Sequence, residues 1–403
     1  MCIRDSYQAS TAKKIALIPV NIIKIPLWIL NYPFEHWLVT RHPPPIIQRN
    51  VQRVRRWIDR GYVLRYGGFG VGSGIGGGIS YRGLLPGAEK TYGKPFVGAT
   101  LTGYQQYYLQ FDRRFGETTT LLSRSQFFDQ PRIEFYGVGT HSDPADRSSY
   151  RLMTTSVDLT GHTTFRERSF FNWNVGYKHH NLRRGLTPGI PASVDVFAAN
   201  EVEGLRGFYD LLEYGAGLGL DGRDHPSYAH SGTLAHASVR VTHGLGDQTS
   251  LTYTKYILEI QQFVALPGVR RTLAMRLHGV LTDNQSSGSQ SIPVWAFEQL
   301  GGGQSVRAVP NFRYTDEDLL VANLEYRFPF WFLEHDSGIA IDALTFFDVG
   351  TVVPELHRMR QNDLRSGAGF GFRMVLRNQT LFKLDFGWTS ENFKIDAGVR
   401  GPL

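Results

Sequence analysis

Toward the carboxyl end of the chain, apolar and polar residues alternate with a period of two over successive runs. In 318–330, Leu320, Ala322, Leu324, Tyr326, Phe328 and Phe330 share one parity, and Asn323, Glu325 and Arg327 share the other. In 367–377, Ala368, Phe370, Phe372, Met374 and Leu376 oppose Gly367, Gly369, Gly371, Arg373 and Arg377. The pattern returns in 381–389, where Phe382, Leu384, Phe386 and Trp388 oppose Lys383, Asp385 and Gly387, and in 393–400, where Phe393, Ile395, Ala397 and Val399 oppose Lys394, Asp396, Gly398 and Arg400. Successive side chains of a strand point to opposite faces, so each run predicts a β-strand with one apolar face. Segments 169–178, 232–242 and 271–281 read the same way. Segment 249–263 does not, because Lys255 and Glu259 share a parity with Leu251 and Ile257; a β-bulge there would reconcile it.

Strands in a water-soluble sandwich run to about five or six residues, whereas a tilted membrane-crossing strand needs about 9 to 11. Most of these runs match the longer figure. A charge on a lipid-facing position costs roughly 2–4 kcal/mol at mid-membrane, which accounts for a parity kept free of charge. The fold class expected is therefore all-β: a transmembrane antiparallel β-barrel of about sixteen strands between Gly72 and Val399, closed because lipid satisfies no open sheet edge. The irregular stretches 129–148 and 181–208 fall to extracellular loops, and the barrel domain occupies 63–403.

Residues 1–62 form a separate N-terminal segment. Ile15 to Val39 is apolar, but Pro19, Lys24, Pro26 and Pro33 interrupt it before the roughly 20 residues a spanning helix requires, so it reads as interfacial or linker chain. After Pro43, Pro44 and Pro45, Ile46 to Arg60 suits a short basic helix. Met1 to Ser6 reads as non-native adapter-derived sequence, so the lack of a signal peptide carries no information about location.

Composition agrees with an all-β chain: 44 glycines, 19 tyrosines and 26 phenylalanines stand beside five methionines. The net charge of +7 is spread among apolar residues along the whole length, which argues against a nucleic-acid partner. Cys2 is the single cysteine, so an intrachain disulfide and CxxC chemistry are excluded. His141, Ser142, Asp143 and Asp146 crowd one short loop, where adjacent residues do not reach triad geometry, and Gly74 to Gly78 lacks the lysine of a phosphate loop and suits barrel curvature. The chain thus reads as no enzyme, with no metal and no cofactor.

Three motifs then follow in order: Gly301-Gly302-Gly303-Gln304-Ser305-Val306-Arg307, Asn323-Leu324-Glu325-Tyr326-Arg327-Phe328-Pro329, and Phe346-Phe347-Asp348-Val349-Gly350. Together they resemble the BamA/TamA-like surface-antigen barrels of the bacterial outer membrane. The resemblance implies a long loop folded into the barrel with Arg307 at its tip, and a lumen wall carrying Phe346, Asp348 and Gly350. The family's glycine and aromatic after the arginine stand here as Ala308 and Val309. Leu205-Arg206-Gly207-Phe208 matches the tip more literally, but the other two motifs do not follow it at the right distance. In Asp396 to Leu403, Asp396, Gly398 and Leu403 partly resemble the family's terminal assembly signal, and Phe135 to Gly139 resembles a family loop.

The residues make independent sense of the tip contact. Asp348 shares the lumen parity with Asp342 and is costly there without a partner, and an arginine can bind a carboxylate through two parallel hydrogen bonds. The plainer alternative is an ordinary lumen salt bridge. Glu325 and Arg327, with Arg373, Lys383, Asp385, Lys394 and Asp396, read as solvated lumen charges. The resemblance implies an integral outer-membrane protein in contact with outer-membrane lipid, which helps insert or translocate client outer-membrane or secreted proteins. Its other implied partners are periplasmic POTRA repeats or accessory proteins. Residues 1–62 are too few for a POTRA array, so such repeats either stand upstream or are lacking in this member. The alternative function is a passive pore or surface-antigen barrel.

Overall fold

The computed structural model describes residues 61–403 apart from 86–89, 167, 199–201, 288–290, 333–338, 377–378 and 399–401. The helix and linker expected before residue 61, and Arg377, Val399 and Arg400, lie outside the described residues.

The chain opens with β1 (Tyr62–Tyr66), β2 (Gly76–Tyr81), β3 (Gly83–Leu84), β4 (Thr91–Thr100), β5 (Gln105–Phe115) and β6 (Thr119–Phe135). It continues through β7 (Ser148–Phe165), β8 (Ser169–Arg184), a helical turn α1 (Ser193–Val196), β9 (Gly207–Asp221), β10 (Gly232–Gly244), β11 (Thr252–Leu266) and β12 (Arg271–Asn284). A small hairpin of β13 (Glu298–Leu300) and β14 (Tyr314–Asp316) precedes β15 (Asp318–Phe332), β16 (Ile339–Val353), β17 (Arg365–Leu376), β18 (Gln379–Trp388) and β19 (Phe393–Gly398). Antiparallel ladders join each large-sheet strand to the next, β2 and β3 serving as two pieces of one strand against β4. Among the described residues, nineteen strands, less the hairpin pair and with β2 and β3 counted together, give a sixteen-position barrel. Among the described residues no ladder closes β1 onto β19.

Alternation survives in three dimensions. Leu109, Val157, Phe171, Leu218, Leu258, Leu281, Leu324, Phe347, Phe370, Phe382 and Ile395 are exposed on the outer face. An apolar surface running round so many strands is what lipid, not water, tolerates. No described helix is long and apolar enough to cross a membrane.

Segment 249–263 corrects the expectation of a bulge. β11 pairs with β10 and β12 in unbroken register, with Lys255, Ile257, Glu259 and Phe263 facing in and Tyr256, Leu258, Ile260 and Val264 facing lipid. Apolar Ile257 and Phe263 face the lumen because folded chain inside the barrel packs on them. The loops are also shorter than expected, since β6 reaches Phe135 and β8 reaches Arg184. Above the membrane these extended walls enclose an apolar core of Phe135, Tyr150, Leu182, Leu211, Leu251 and Ile292 with Phe312.

Candidate functional site

The connection between β12 and β15 turns inward. Positive φ at Gly301 (127°) and Gly302 (92°) lets the chain reverse, and the turn is closed by Gly302 N donating to Val309 O at 3.0 Å and Ser305 N to Gly302 O at 3.1 Å. Val306 and Val309 pack against Leu300, Val321 and Val352 of the hairpin and wall. The loop is thereby a folded plug with its own small core.

Arg307, 1% exposed, sits at its tip. Its Nε and Nη2 donate to Asp348 at 2.8 and 2.7 Å, and its backbone N–H donates to the same carboxylate at 3.0 Å. Nη1 donates to Glu325, and the guanidinium lies 3.8 Å from the centroid of the Phe346 ring. Asn323 completes the cradle by donating to Asp348 at 2.8 Å and to the Ser305 carbonyl at 2.7 Å. Gly350 serves by its smallness: a Cβ there would lie 2.8 Å from Leu300.

Ala308 and Val309, where the family has a glycine and an aromatic, are accommodated by the wall. Cβ atoms on Gly367 and Gly387 would lie 2.6 and 2.8 Å from the Ala308 Cβ, so glycines on β17 and β18 provide the close approach. Val309 fills apolar space in the plug's core.

The sequence pattern predicts solvated lumen charges, and for five of them the structure corrects this. Glu325, Arg327, Arg373, Lys383 and Asp385 are all buried, because the plug and, at Arg327, the β9–β10 connection cover their wall. Arg327 Nε donates to Glu325 at 2.9 Å, Arg373 is 3.6 Å from Glu325 and also pairs with Asp385, and Lys383 links Asp385 at 3.6 Å to Asp396 at 2.5 Å. Arg307, Arg327, Arg373 and Lys383 thus face Glu325, Asp348, Asp385 and Asp396, and the network is electrically balanced. Asp342 pairs separately with Arg270, at 2.8 Å.

In the terminal strand, Asp396 holds Lys383, and the Lys383 Cε lies 3.3 Å from a Cβ position on Gly398. Leu403 packs elsewhere, against Ala229, Phe263 and Ala274. There lies a feature the sequence reading missed. The connection between β9 and β10 folds into the lumen from the end opposite the plug, placing Tyr228 4.7 Å from the Arg327 guanidinium and the Ala229 carbonyl 3.2 Å from Arg327 Nη1. The one available signal was its length beside the tight turns on the same end, such as Gly116 to Thr118.

Residues His141 to Asp146 serve structure. Ser142 accepts hydrogen bonds from Arg313 at 3.0 and 2.9 Å, His141 meets Asp363 at 2.8 Å, and Asp143 caps Ala145 at 2.8 Å. They tie the β6–β7 loop over the top of the plug. Arg206, the alternative tip, is exposed at the rim.

The plug also reaches both flanks of the seam between β1 and β19. On the β1–β2 side, a Cβ on Gly72 would lie 2.5 Å from the Phe312 ring and one on Gly302 would lie 3.4 Å from Val71. On the β19 side, Lys394 donates to the Asn311 side chain at 2.9 Å and to the Val309 carbonyl at 3.1 Å.

A sixteen-position antiparallel barrel with a largely apolar outer face and a loop folded back into its lumen is an outer-membrane β-barrel of the plugged kind. The chain belongs to the Omp85 superfamily, whose domain matches residues 88–399. Among solved structures it is similar to BamA from Haemophilus ducreyi lacking POTRA domains 1–3, with a TM-score of 0.61 and 14% identity over 84% of this chain and 69% of that one. It is also similar to CdiB from Escherichia coli, with a TM-score of 0.53 and 12% identity over 84% of this chain and 61% of that one. These likenesses are of fold. No curated protein sequence matches the chain significantly.

Proposed function

We propose that this barrel assists the insertion or translocation of other proteins at the outer membrane by opening between β1 and β19. The observation that carries the reading is the seam. Among the described residues, β1 holds its neighbour by five residue pairs and β19 by six, whereas β6 and β7 share fifteen and β7 and β8 sixteen. The wall is least secured where its ends meet, and an exposed strand edge there can accept a client strand through main-chain hydrogen bonds. The plug touches both flanks of that seam, so Arg307 and its carboxylates hold the part of the molecule that spans the opening. Client outer-membrane or secreted proteins are the partners, delivered by POTRA repeats or accessory proteins in the periplasm, and no cofactor is required.

The test reconstitutes the protein in lipid vesicles and follows folding of an urea-denatured client barrel. One version carries a disulfide between cysteines placed in β1 and β19, with Cys2 replaced by serine. Client folding should be accelerated by the reduced form and fall to the rate of empty vesicles when the seam is locked. Equal rates in both forms, or no acceleration together with a stable conductance, would assign the barrel to the passive-pore class.

A further inference from the structure

At the long-loop end of β7, β8 and β9, a cleft of about 560 Å³ is lined by Arg151, Arg183, Arg184 and Arg206. Arg151 and Arg183 are direct cross-strand partners. Like charges placed opposite one another weaken a sheet, so the arrangement needs a compensating anion. Part of it is internal: Asp129 binds Arg151 at 2.8 and 2.6 Å, and Asp195 of α1 binds Arg184. Among the described residues no carboxylate reaches Arg183, whose partner is the Asn181 side chain at 3.3 Å, or Arg206. Leu186 and Val194 give the cleft apolar walls beside these guanidinium groups. Arginine forks match phosphate oxygens in geometry and charge, and an apolar wall suits the face of a sugar ring.

Height above the membrane places the occupant. On the outer face of β8 and β9, exposed Phe171, Val175, Leu212 and Leu218 lead up to Tyr177, whose hydroxyl donates to Asp210 at 2.5 Å, and then to exposed Phe208 opposite Asn181. Arg183 follows on the same face two residues beyond Asn181. At about 3.3 Å per residue and a tilt of about 40°, it stands roughly 5 Å above that last apolar side chain. The headgroup layer is about 5–7 Å deep on each side, so the cleft lies at the level of lipid headgroups. Long loops face the cell exterior, so the lipid in reach is that of the outer leaflet. We propose that this cleft binds the phosphorylated saccharide headgroup of an outer-leaflet glycolipid. The site is remote from the seam, so it stands or falls separately from the client-handling function.

The protein in detergent micelles is offered three probes: lipopolysaccharide with phosphorylated headgroup sugars, the same glycolipid stripped of those phosphates, and inorganic phosphate. Bound glycolipid is counted by native mass spectrometry. The phosphorylated form should be retained, and retention should weaken at least about tenfold on phosphate removal or in an Arg183→Gln/Arg206→Gln variant, as expected for lost charge-assisted hydrogen bonds. Both side chains are exposed, and heat-modifiable gel migration checks that the variant barrel has formed. Equal retention of the stripped glycolipid by the unaltered protein, or of the phosphorylated one by the folded variant, would overturn the proposal. So would displacement of the glycolipid by an equal concentration of inorganic phosphate, which would make this an adventitious ion site only.

Discussion

Replacing Arg307 by alanine removes two hydrogen bonds to Asp348, one to Glu325 and the stacking on Phe346 in a single step. The two carboxylates are left in different positions. Glu325 keeps Arg327 at 2.9 Å and Arg373 at 3.6 Å, whereas Asp348, fully buried, keeps only the neutral donors Asn323 and the backbone N–H of residue 307. The cost therefore falls mainly on Asp348, and stranding one partner of a buried pair costs about 3–5 kcal/mol. Urea unfolding in lipid vesicles, followed by tryptophan fluorescence, should show a loss of that size for Arg307→Ala. Adding Asp348→Asn should restore about 1–2 kcal/mol by neutralising the stranded charge, although a carboxylate was also lost. Arg307→Lys should be intermediate, since one ammonium cannot reproduce the forked contact. A loss below about 1 kcal/mol for Arg307→Ala, or strict additivity of Arg307→Ala and Asp348→Ala, would refute the reasoning, because residues in one network do not act independently.

Gly387→Val should push Ala308 off the wall, cost about 1–3 kcal/mol and expose residues 301–313 to added protease, with Ala308→Gly relieving part of the damage. Tyr228→Ala should free the β9–β10 connection for proteolysis from the periplasmic side while leaving the plug protected, because Tyr228 covers Arg327 and not Arg307. In the extracellular hairpin, burial raises Asp316 to about 6, and burial with the neighbouring Asp316, Asp318 and Glu355 carboxylates raises Glu317 to about 7. The folded form therefore holds protons that the unfolded form has lost, so their contribution favours folding at low pH and is lost as pH rises from about 4 to about 7. An Asp316→Asn/Glu317→Gln variant should resist loop proteolysis better than the parent at pH 8 and match it at pH 4; equal behaviour at both would remove these groups from the account.

Strands β15 and β17 to β19 were legible because lipid on one side and charge on the other impose an uncompromised alternation. Leu324 and Phe370 lie outward, Glu325 and Arg373 inward, and parity alone assigns them. Parity fails where the inner face is apolar. Ile257 and Phe263 look misplaced until the plug and the β9–β10 connection are seen packing on them, and these partners lie far off in sequence. The same long-range packing explains why Arg373 and Asp385 read as solvated when they are buried. Parity reports which face a residue takes, and only the folded loops decide whether water reaches that face. The glycines facing Ala308 were visible as a row on β17 and β18, but their partner was not.

The chemistry of the plug has a consequence for its motion. A buried ion pair roughly breaks even against an apolar contact of the same volume, since desolvation offsets attraction. Four cations set against four carboxylates thus fix where the plug sits more than they raise its stability. If the plug withdraws, those side chains remain on a lumen wall that water can enter, and hydration replaces much of what the contacts supplied. An apolar plug of equal size would leave bare hydrocarbon surface to water at about 25 cal/mol per Å² and would resist withdrawal far more strongly. On the proposed function, where the loop spanning the seam must release and re-form, an ionic attachment around Arg307 suits a repeatable movement, and Arg327 extends the same network to the Tyr228 connection at the opposite end. Apolar replacement of the whole set should accordingly leave a barrel that folds at least as stably but inserts clients poorly, a combination that a purely structural salt-bridge cluster would not produce.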